Sequence, residues 1–234
     1  MDFEDIYQVV PWPLLAYDLD IDPSLDQRHE PRCFKSHQLL SSSWRGARYL
    51  VAVRDPVTTF ESFYAFQRAG KKKAVEDIDS IEDFFHSPLL MDDMMFGGSI
   101  WDYYRETWLC RHLPQVMVVA YEDMVKNLRG LLPKIANFMQ LEPQDPAVLD
   151  KVAASCSKVF MMEHSSKFDG SFVRKKMVAK GVRARPAARV LSDSSKKPRF
   201  SKASIEVLQR MWEEKMMPAT GMATYEDFLK GLRE

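Results

Sequence analysis

The chain has 234 residues, of which 46% are hydrophobic and 28% are charged, an ordinary balance for a soluble globular protein. Lysine plus arginine equals aspartate plus glutamate at 33 each, so the net charge gives no reason to expect a nucleic-acid or anionic-membrane partner. The three scattered cysteines predict neither a disulfide framework nor a zinc site, and no stretch has the apolar length of a membrane span. We therefore expect one cytoplasmic domain, over residues 1–234, without a metal.

Short apolar runs alternate with helical patterns along the chain. The runs at 32–36, 47–53 and 116–120 predict strands. Apolar residues at helical spacing, with capping and breaking residues, predict helices at 3–9, 56–68, 80–86, 99–111, 128–139, 146–154, 157–162, 201–212 and 225–232. The basic stretch 167–202 is predicted to be irregular, since glycine, serine and proline are scattered through it. Strands that alternate with helices predict an α/β fold with a parallel sheet. Ligands of such sheets bind beyond the carboxyl ends of the strands, and His37, Arg54 and Tyr121 each fall just past a predicted strand, so we expect them to share one pocket.

The most informative stretch begins with an apolar run, Tyr49–Val53, that predicts a buried strand. Arg54 stands where this strand ends, Asp55 has the position of a helix cap before a proline, and Ser62 follows two turns later. A guanidinium, first-turn N–H groups and a hydroxyl at one mouth of a sheet form an anion site. The alternative is that Arg54 pairs with Asp55 or Glu122.

This stretch resembles the 3′-phosphate-binding segment of sulfotransferases, in which Arg-Asn-Pro or Arg-Asp-Pro precedes a serine. These enzymes use 3′-phosphoadenosine 5′-phosphosulfate (PAPS). Upstream, residues 34–37 (Phe-Lys-Ser-His) resemble the catalytic Lys-Thr-His of the family, and residues 121–124 (Tyr-Glu-Asp-Met) resemble its Tyr-Glu-Asp-Met turn. The order and spacing of the three motifs make the resemblance specific, and it extends from about residue 3 to residue 229.

The resemblance implies a P-loop NTPase-like, three-layer α/β domain with a central parallel sheet, and PAPS as co-substrate. It implies that His37 is the general base for a small-molecule acceptor and that Lys35 places positive charge near the sulfuryl group. It also implies that Arg54 and Ser62 bind the 3′-phosphate and that Tyr121 contacts the adenine. From the residues alone, two alternatives remain open: His37 could bond to a backbone carbonyl, and Lys35 could be a solvated lysine.

A second 3′-phosphate motif of the family, Arg-Lys-Gly, precedes the residue that caps the last core helix by about twelve positions. Counting back from Ser201 gives Arg189, which we take as the second phosphate contact. The pair at 174–175 (Arg-Lys) matches by composition but not by spacing. Lys197, Ser201 and Glu206 have the spacing of the family's dimer motif, so a homodimer is an open prediction.

The glycine-rich loop with which the family binds the 5′-phosphosulfate has no match upstream of His37. We therefore expect a sulfotransferase domain whose first strand and phosphate loop are missing from this chain. A protein that binds 3′-phosphoadenosine nucleotides without turnover is the alternative from a different class. A kinase of the P-loop type is disfavoured, because neither a glycine-rich lysine loop nor a clear Mg²⁺-binding acid is present.

Overall fold

The structure is a computed structural model that describes residues 2–16, 19–43, 45–69, 78, 80–85, 98–142, 144–182 and 198–234. The described residues belong to two compact units. The first comprises those within Met1–Ser36, Phe66–Lys73 and Arg129–Ser195, and the second those within His37–Ala65, Ala74–Leu128 and Lys196–Glu234.

The described strands are β1 (Tyr49–Val53) and β2 (Val116–Ala120), which pair in parallel with full register from their first to their last residues. The α-helices are α1 (Pro56–Ala69), α2 (Ile81–Phe85), α3 (Ile100–Cys110), α4 (Tyr121–Phe138, with non-helical backbone at Asn127), α5 (Pro146–Ser155), α6 (Lys158–Glu163), α7 (Ser171–Ala179), α8 (Lys202–Lys215), α9 (Met217–Thr220) and α10 (Tyr225–Arg233). Short 3-10 helices lie at Ile6–Gln8, Pro13–Leu15, Leu40–Ser42 and Ser165–Lys167. Among the helices described, none is long and apolar enough to cross a bilayer.

The turn from β1 into α1 has the predicted cap. The Asp55 carboxylate accepts the N–H of Thr58 at 2.8 Å, and Pro56 is the first residue of the helix. The Asp55 carbonyl then accepts the N–H of Thr59 at 2.9 Å, the first bond of the helical ladder. The start of α1 therefore has a local cap, as the sequence predicts.

The core of the second unit is aromatic, and it includes the last residue of each strand. Trp212 is 1% exposed and packs edge-on against Trp101 and Phe228, with ring centroids 6.4 and 5.5 Å away. Val53 and Ala120 are buried in the same cluster. Burial of these two residues fixes the carboxyl ends of both strands, from which two of the predicted site residues emerge.

The predicted strand at residues 32–36 is wrong. Its backbone bonds to loops instead, because Cys33 exchanges hydrogen bonds of 2.8 and 2.9 Å with the side-chain amide of Gln27. The Lys35 N–H donates to the carbonyl of Pro11 at 2.9 Å. A strand requires a neighbouring strand to complete its ladder, and the described strands pair with each other rather than with this segment. Residue pattern alone does not reveal that a pairing partner is absent.

Part of the stretch predicted to be irregular forms α7. The Asp169 carboxylate accepts the N–H of Ser171 at 2.9 Å at the start of this helix. Asp5, which is fully buried, accepts the N–H of Phe172 at 3.3 Å from a position far away in the sequence. This long-range acceptor stabilises the first turn of α7. The prediction was wrong for this part because it weighed the glycine, serine and proline of the whole stretch, whereas α7 itself contains neither glycine nor proline and several good helix formers.

Candidate functional site

Arg54 and Tyr121 meet at one edge of the sheet. The last residues of β1 and β2 are paired in register, so the two residues that follow them leave the sheet side by side. The Cζ atom of Arg54 lies 4.4 Å from the centroid of the Tyr121 ring, within range of a cation–π interaction. Tyr121 is 41% exposed, so part of the ring remains available to a ligand.

The guanidinium of Arg54 is held by a hydroxyl rather than by a carboxylate. Its Nε–H donates to Thr58 Oγ1 at 3.2 Å. The same threonine hydroxyl donates to the Asp55 carbonyl, also at 3.2 Å. None of the ion pairs between described residues involves Arg54, although its charge acts on the neighbouring Asp55 carboxyl, where it opposes the rise in pKa that burial causes. Arg54 therefore has no carboxylate in direct contact among the described residues, and its terminal nitrogens are available to an anion at the mouth of the sheet.

The backbone on both sides of Arg54 is anchored by a second layer of polar groups. Glu122 accepts the Asp55 N–H at 3.0 Å and the Tyr225 hydroxyl at 3.2 Å through its two carboxylate oxygens. The hydroxyl of Tyr104 donates to the carbonyl of Arg54. The strand-end turn is thus bonded by Glu122 and Tyr104, and Tyr225 supports Glu122; these three residues all belong to the second unit.

Burial governs the protonation of this layer. Burial raises the pKa of Asp55 above its ordinary value and, together with the charge of Glu122, outweighs the hydrogen bonds from Thr58 and the charge of Arg54, which lower it. Burial likewise raises the pKa of Tyr104 and that of Tyr225, so both phenols keep their protons and act as hydrogen-bond donors. The carboxyl groups of Asp55 and Glu122 and the neutral hydroxyls of Tyr104 and Tyr225 together hold the turn that carries Arg54.

Ser62 lies on α1 four residues after Thr58 and is partly buried. Residues four apart share a helix face, so the serine follows the threonine that contacts Arg54 along one side of α1. Binding of a phosphate by Ser62 remains a prediction.

His37 belongs to the second unit and is partly buried, but it does not follow a strand, contrary to the prediction. It lies in irregular chain shortly before the 3-10 helix Leu40–Ser42. That helix is anchored to α3, because Ser41 donates its hydroxyl and its N–H to the Glu106 carboxylate at 2.6 and 3.1 Å. The role of His37 as a base remains a prediction.

Lys35 belongs to the first unit, where its ammonium lies between two aromatic rings. Its Nζ donates to the Tyr7 hydroxyl oxygen at 3.0 Å and lies 4.5 Å from the centroid of the Trp12 ring. Its catalytic role remains a prediction. Arg189, the predicted second phosphate contact, lies outside the described residues.

Three residues that support the strand-end turn, Thr58, Tyr104 and Tyr225, were not identified by the sequence analysis. The sequence could have predicted the contact of Thr58 with Arg54, because Thr58 stands four residues after Arg54 at the start of a capped helix, where its hydroxyl is within reach of the arginine. The sequence could not have predicted the contacts of Tyr104 and Tyr225, since they join segments far apart in the chain.

Comparison with known proteins gives concordant results. The model of the sulfotransferase domain family matches residues 9–219. Sulfotransferase 6B1 of Danio rerio is 31% identical over 129 residues, which cover 53% of this chain and 40% of the relative. Sulfotransferase 2A1 of Rattus norvegicus is 27% identical over 208 residues, which cover 86% of this chain and 68% of the relative.

Two solved structures are similar in fold. Mouse sulfotransferase SULT7A1 complexed with PAP aligns with a TM-score of 0.54 at 18% identity, over 80% of this chain and 62% of that one. Retinol dehydratase in a complex with retinol and PAP aligns with a TM-score of 0.57 at 15% identity, over 91% of this chain and 64% of that one. At such identities the likeness establishes the fold alone, and it confirms the predicted P-loop NTPase-like α/β class with a parallel sheet.

The chain spans less than half of the zebrafish relative and less than two thirds of either solved structure. The family model nevertheless accounts for most of its residues, including both strands and the turns that follow them. Because this match extends over residues 9–219, the chain belongs to the sulfotransferase domain family.

Proposed function

We propose that the protein transfers a sulfuryl group from PAPS to a hydroxyl or amine of a small-molecule acceptor. The observation that supports this proposal most is the Arg54 guanidinium, which lies over Tyr121 at the paired strand ends without a neutralising carboxylate among the described ion pairs. A cation at the carboxyl edge of a parallel sheet, beside a helix N-terminus, suits a nucleotide phosphate. Two structures similar in fold were solved with PAP, the nucleotide that remains after PAPS loses its sulfuryl group.

In this proposal the 3′-phosphate of the nucleotide binds to Arg54 and Ser62. Tyr121 contacts the adenine with the part of its ring that is not covered by the guanidinium. Arg189 adds a second positive charge to the same phosphate. Each contact belongs to a chemical class that proteins use for these groups, since arginine forks and helix hydroxyls bind phosphate and aromatic rings pack on bases.

In the reaction itself, His37 takes the proton from the acceptor hydroxyl or amine. The acceptor atom forms a bond to sulfur while the bond between sulfur and the 5′-phosphate oxygen breaks, and the negative charge leaves on PAP. Lys35 stabilises the charge that develops on the transferring group, because such transfers depend mainly on positioning and electrostatics. A cytoplasmic location and a homodimer through Lys197, Ser201 and Glu206 remain predictions.

Calorimetric titration with PAP tests the assignment of the two principal residues. We expect Arg54→Ala to weaken PAP binding by about 10- to 100-fold, because hydrogen bonds between charged groups are lost. We expect His37→Ala to bind PAP almost as the wild type does, because a base for the acceptor is not assigned to any contact with the nucleotide. Adenosine 5′-monophosphate (AMP), which lacks the 3′-phosphate, is the control ligand, and its affinity should respond much less to Arg54→Ala than the affinity for PAP does.

Two outcomes would contradict this account. Equal loss of PAP affinity in both variants would mean that His37 supports the fold rather than the reaction. A wild-type protein that binds PAP no better than it binds AMP would remove the basis of the 3′-phosphate site and overturn the proposed function.

A further inference from the structure

We propose that Thr58 is a positioning residue that determines which edge of the Arg54 guanidinium faces the nucleotide phosphate. This inference rests on the proposed function, because it concerns the geometry of the same anion site. Its basis is the bond from the Arg54 Nε–H to Thr58 Oγ1, at 3.2 Å. Through this bond, the first turn of α1 sets the orientation of the Arg54 guanidinium.

The acceptor that Thr58 offers is itself fixed. Its hydroxyl proton is directed to Asp55, whose carbonyl oxygen lies 3.2 Å away and whose carboxyl group also has a hydrogen bond with this side chain, and this leaves oxygen lone pairs for Arg54. Its backbone N–H is bound by the Asp55 carboxylate at 2.8 Å in the helix cap. Because threonine is branched at Cβ, few side-chain rotamers compete with this one. Thr58 therefore acts as a rigid support rather than as a mobile surface hydroxyl.

A consequence follows for the way in which the guanidinium binds an anion. Arginine has five N–H donors, one on Nε and four on the two terminal nitrogens. With Nε–H used by Thr58, and with one face of the group over the Tyr121 ring at 4.4 Å, the paired terminal nitrogens of Arg54 remain for a bidentate bond. The 3′-phosphate is thus bound end-on, through the edge opposite the side-chain stem.

A role limited to fold stability is the competing explanation, since Thr58 also belongs to the first turn of α1. The two explanations predict different results for substitutions that separate shape from hydrogen bonding. Thr58→Val keeps the branched shape but removes the acceptor, and Thr58→Ser restores the oxygen. A role in stability alone would change the unfolding free energy of Thr58→Val without any selective effect on ligands that carry a 3′-phosphate.

The experiment is a calorimetric titration of the wild-type, Thr58→Val and Thr58→Ser proteins with PAP and with AMP. We expect Thr58→Val to weaken PAP binding by about three- to tenfold, the equivalent of one hydrogen bond, and to leave AMP binding unchanged. We expect Thr58→Ser to recover most of the PAP affinity. Thr107→Val is the matched control, because it removes a helical threonine hydroxyl that donates to the Tyr103 carbonyl instead.

The results distinguish failure of this inference from failure of the proposed function. A wild-type protein that does not prefer PAP to AMP defeats both. A wild-type protein that prefers PAP, together with a Thr58→Val variant of equal PAP affinity, defeats the inference alone. Equal weakening of PAP and AMP in that variant would also defeat it, because the effect would then come from the fold.

A measurement on the unsubstituted side chain covers the case in which Thr58→Val does not fold. Proton exchange of the Arg54 Nε–H can be followed by ¹⁵N NMR in the otherwise native protein, with Arg54→Lys used to assign the signal. We expect this N–H to exchange more slowly than that of an exposed arginine, because it is bound to Thr58. Exchange at the rate of a free side chain would overturn the inference.

Discussion

Removal of the Glu122 carboxylate tests the layer that supports the strand-end turn. Glu122 accepts two hydrogen bonds, from the Asp55 N–H at 3.0 Å and from the Tyr225 hydroxyl at 3.2 Å. A bond to a charged acceptor contributes about 1.5–3 kcal/mol, and both sites are only partly buried, so water replaces part of what is lost. Loss of the repulsion between Glu122 and Asp55 offsets a further part of the stability that is lost with the two hydrogen bonds. We therefore expect Glu122→Ala to lower the unfolding free energy by about 2–3 kcal/mol.

The assay is urea unfolding followed by circular dichroism, with Glu122→Gln and Tyr225→Phe measured in parallel. Tyr225→Phe removes only one of the two bonds and should cost about 1 kcal/mol. Glu122→Gln keeps one acceptor oxygen and should fall between Glu122→Ala and the wild type. A Glu122→Ala protein within about 0.5 kcal/mol of the wild type would refute the reasoning, since it would behave as an ordinary surface substitution.

Two further predictions concern the ends of helices. The pKa of Asp55 is raised above its ordinary 3.8, so the contribution of this group to stability is complete below that value and is lost as pH rises through the higher pKa. Asp55→Asn still offers an acceptor to Thr58. This variant should therefore unfold at a higher urea concentration than the wild type near neutral pH, but not in acid. Urea midpoints that depend on pH in the same way for both proteins would contradict this prediction. Ser201 caps α8 by accepting the Ser204 N–H at 3.2 Å, so Ser201→Ala should lose about 1 kcal/mol in unfolding free energy whereas Ser201→Asn should not. Equal stability of the alanine and asparagine variants would show that this cap contributes little.

The parts of the fold that were predictable depend on local sequence. The runs before Arg54 and Tyr121 predicted the two strands, and Asp55 predicted the helix start after the first of them, because short-range patterns determine these features. The juxtaposition of Arg54 and Tyr121 followed from the rule that parallel strands end at one edge of a sheet.

The parts that were not predictable depend on contacts between distant segments. The segment around Lys35 pairs with neither of the two described strands, and the N–H groups of Cys33 and Lys35 bond to Gln27 and Pro11 instead. The first turn of α7 is stabilised by Asp5, which no pattern within residues 167–202 reveals. Tyr225 reaches the site from the last helix, and nothing near it in the sequence indicates that contact.

The central claim is that the Arg54 guanidinium binds the 3′-phosphate of a PAPS-type nucleotide at the strand ends. A crystal structure of the protein with PAP tests it most directly. We predict that the 3′-phosphate oxygens lie about 3 Å from the two terminal nitrogens of Arg54, beside Ser62 and with the adenine against Tyr121. A bound PAP whose 3′-phosphate has no contact with Arg54 would contradict the account.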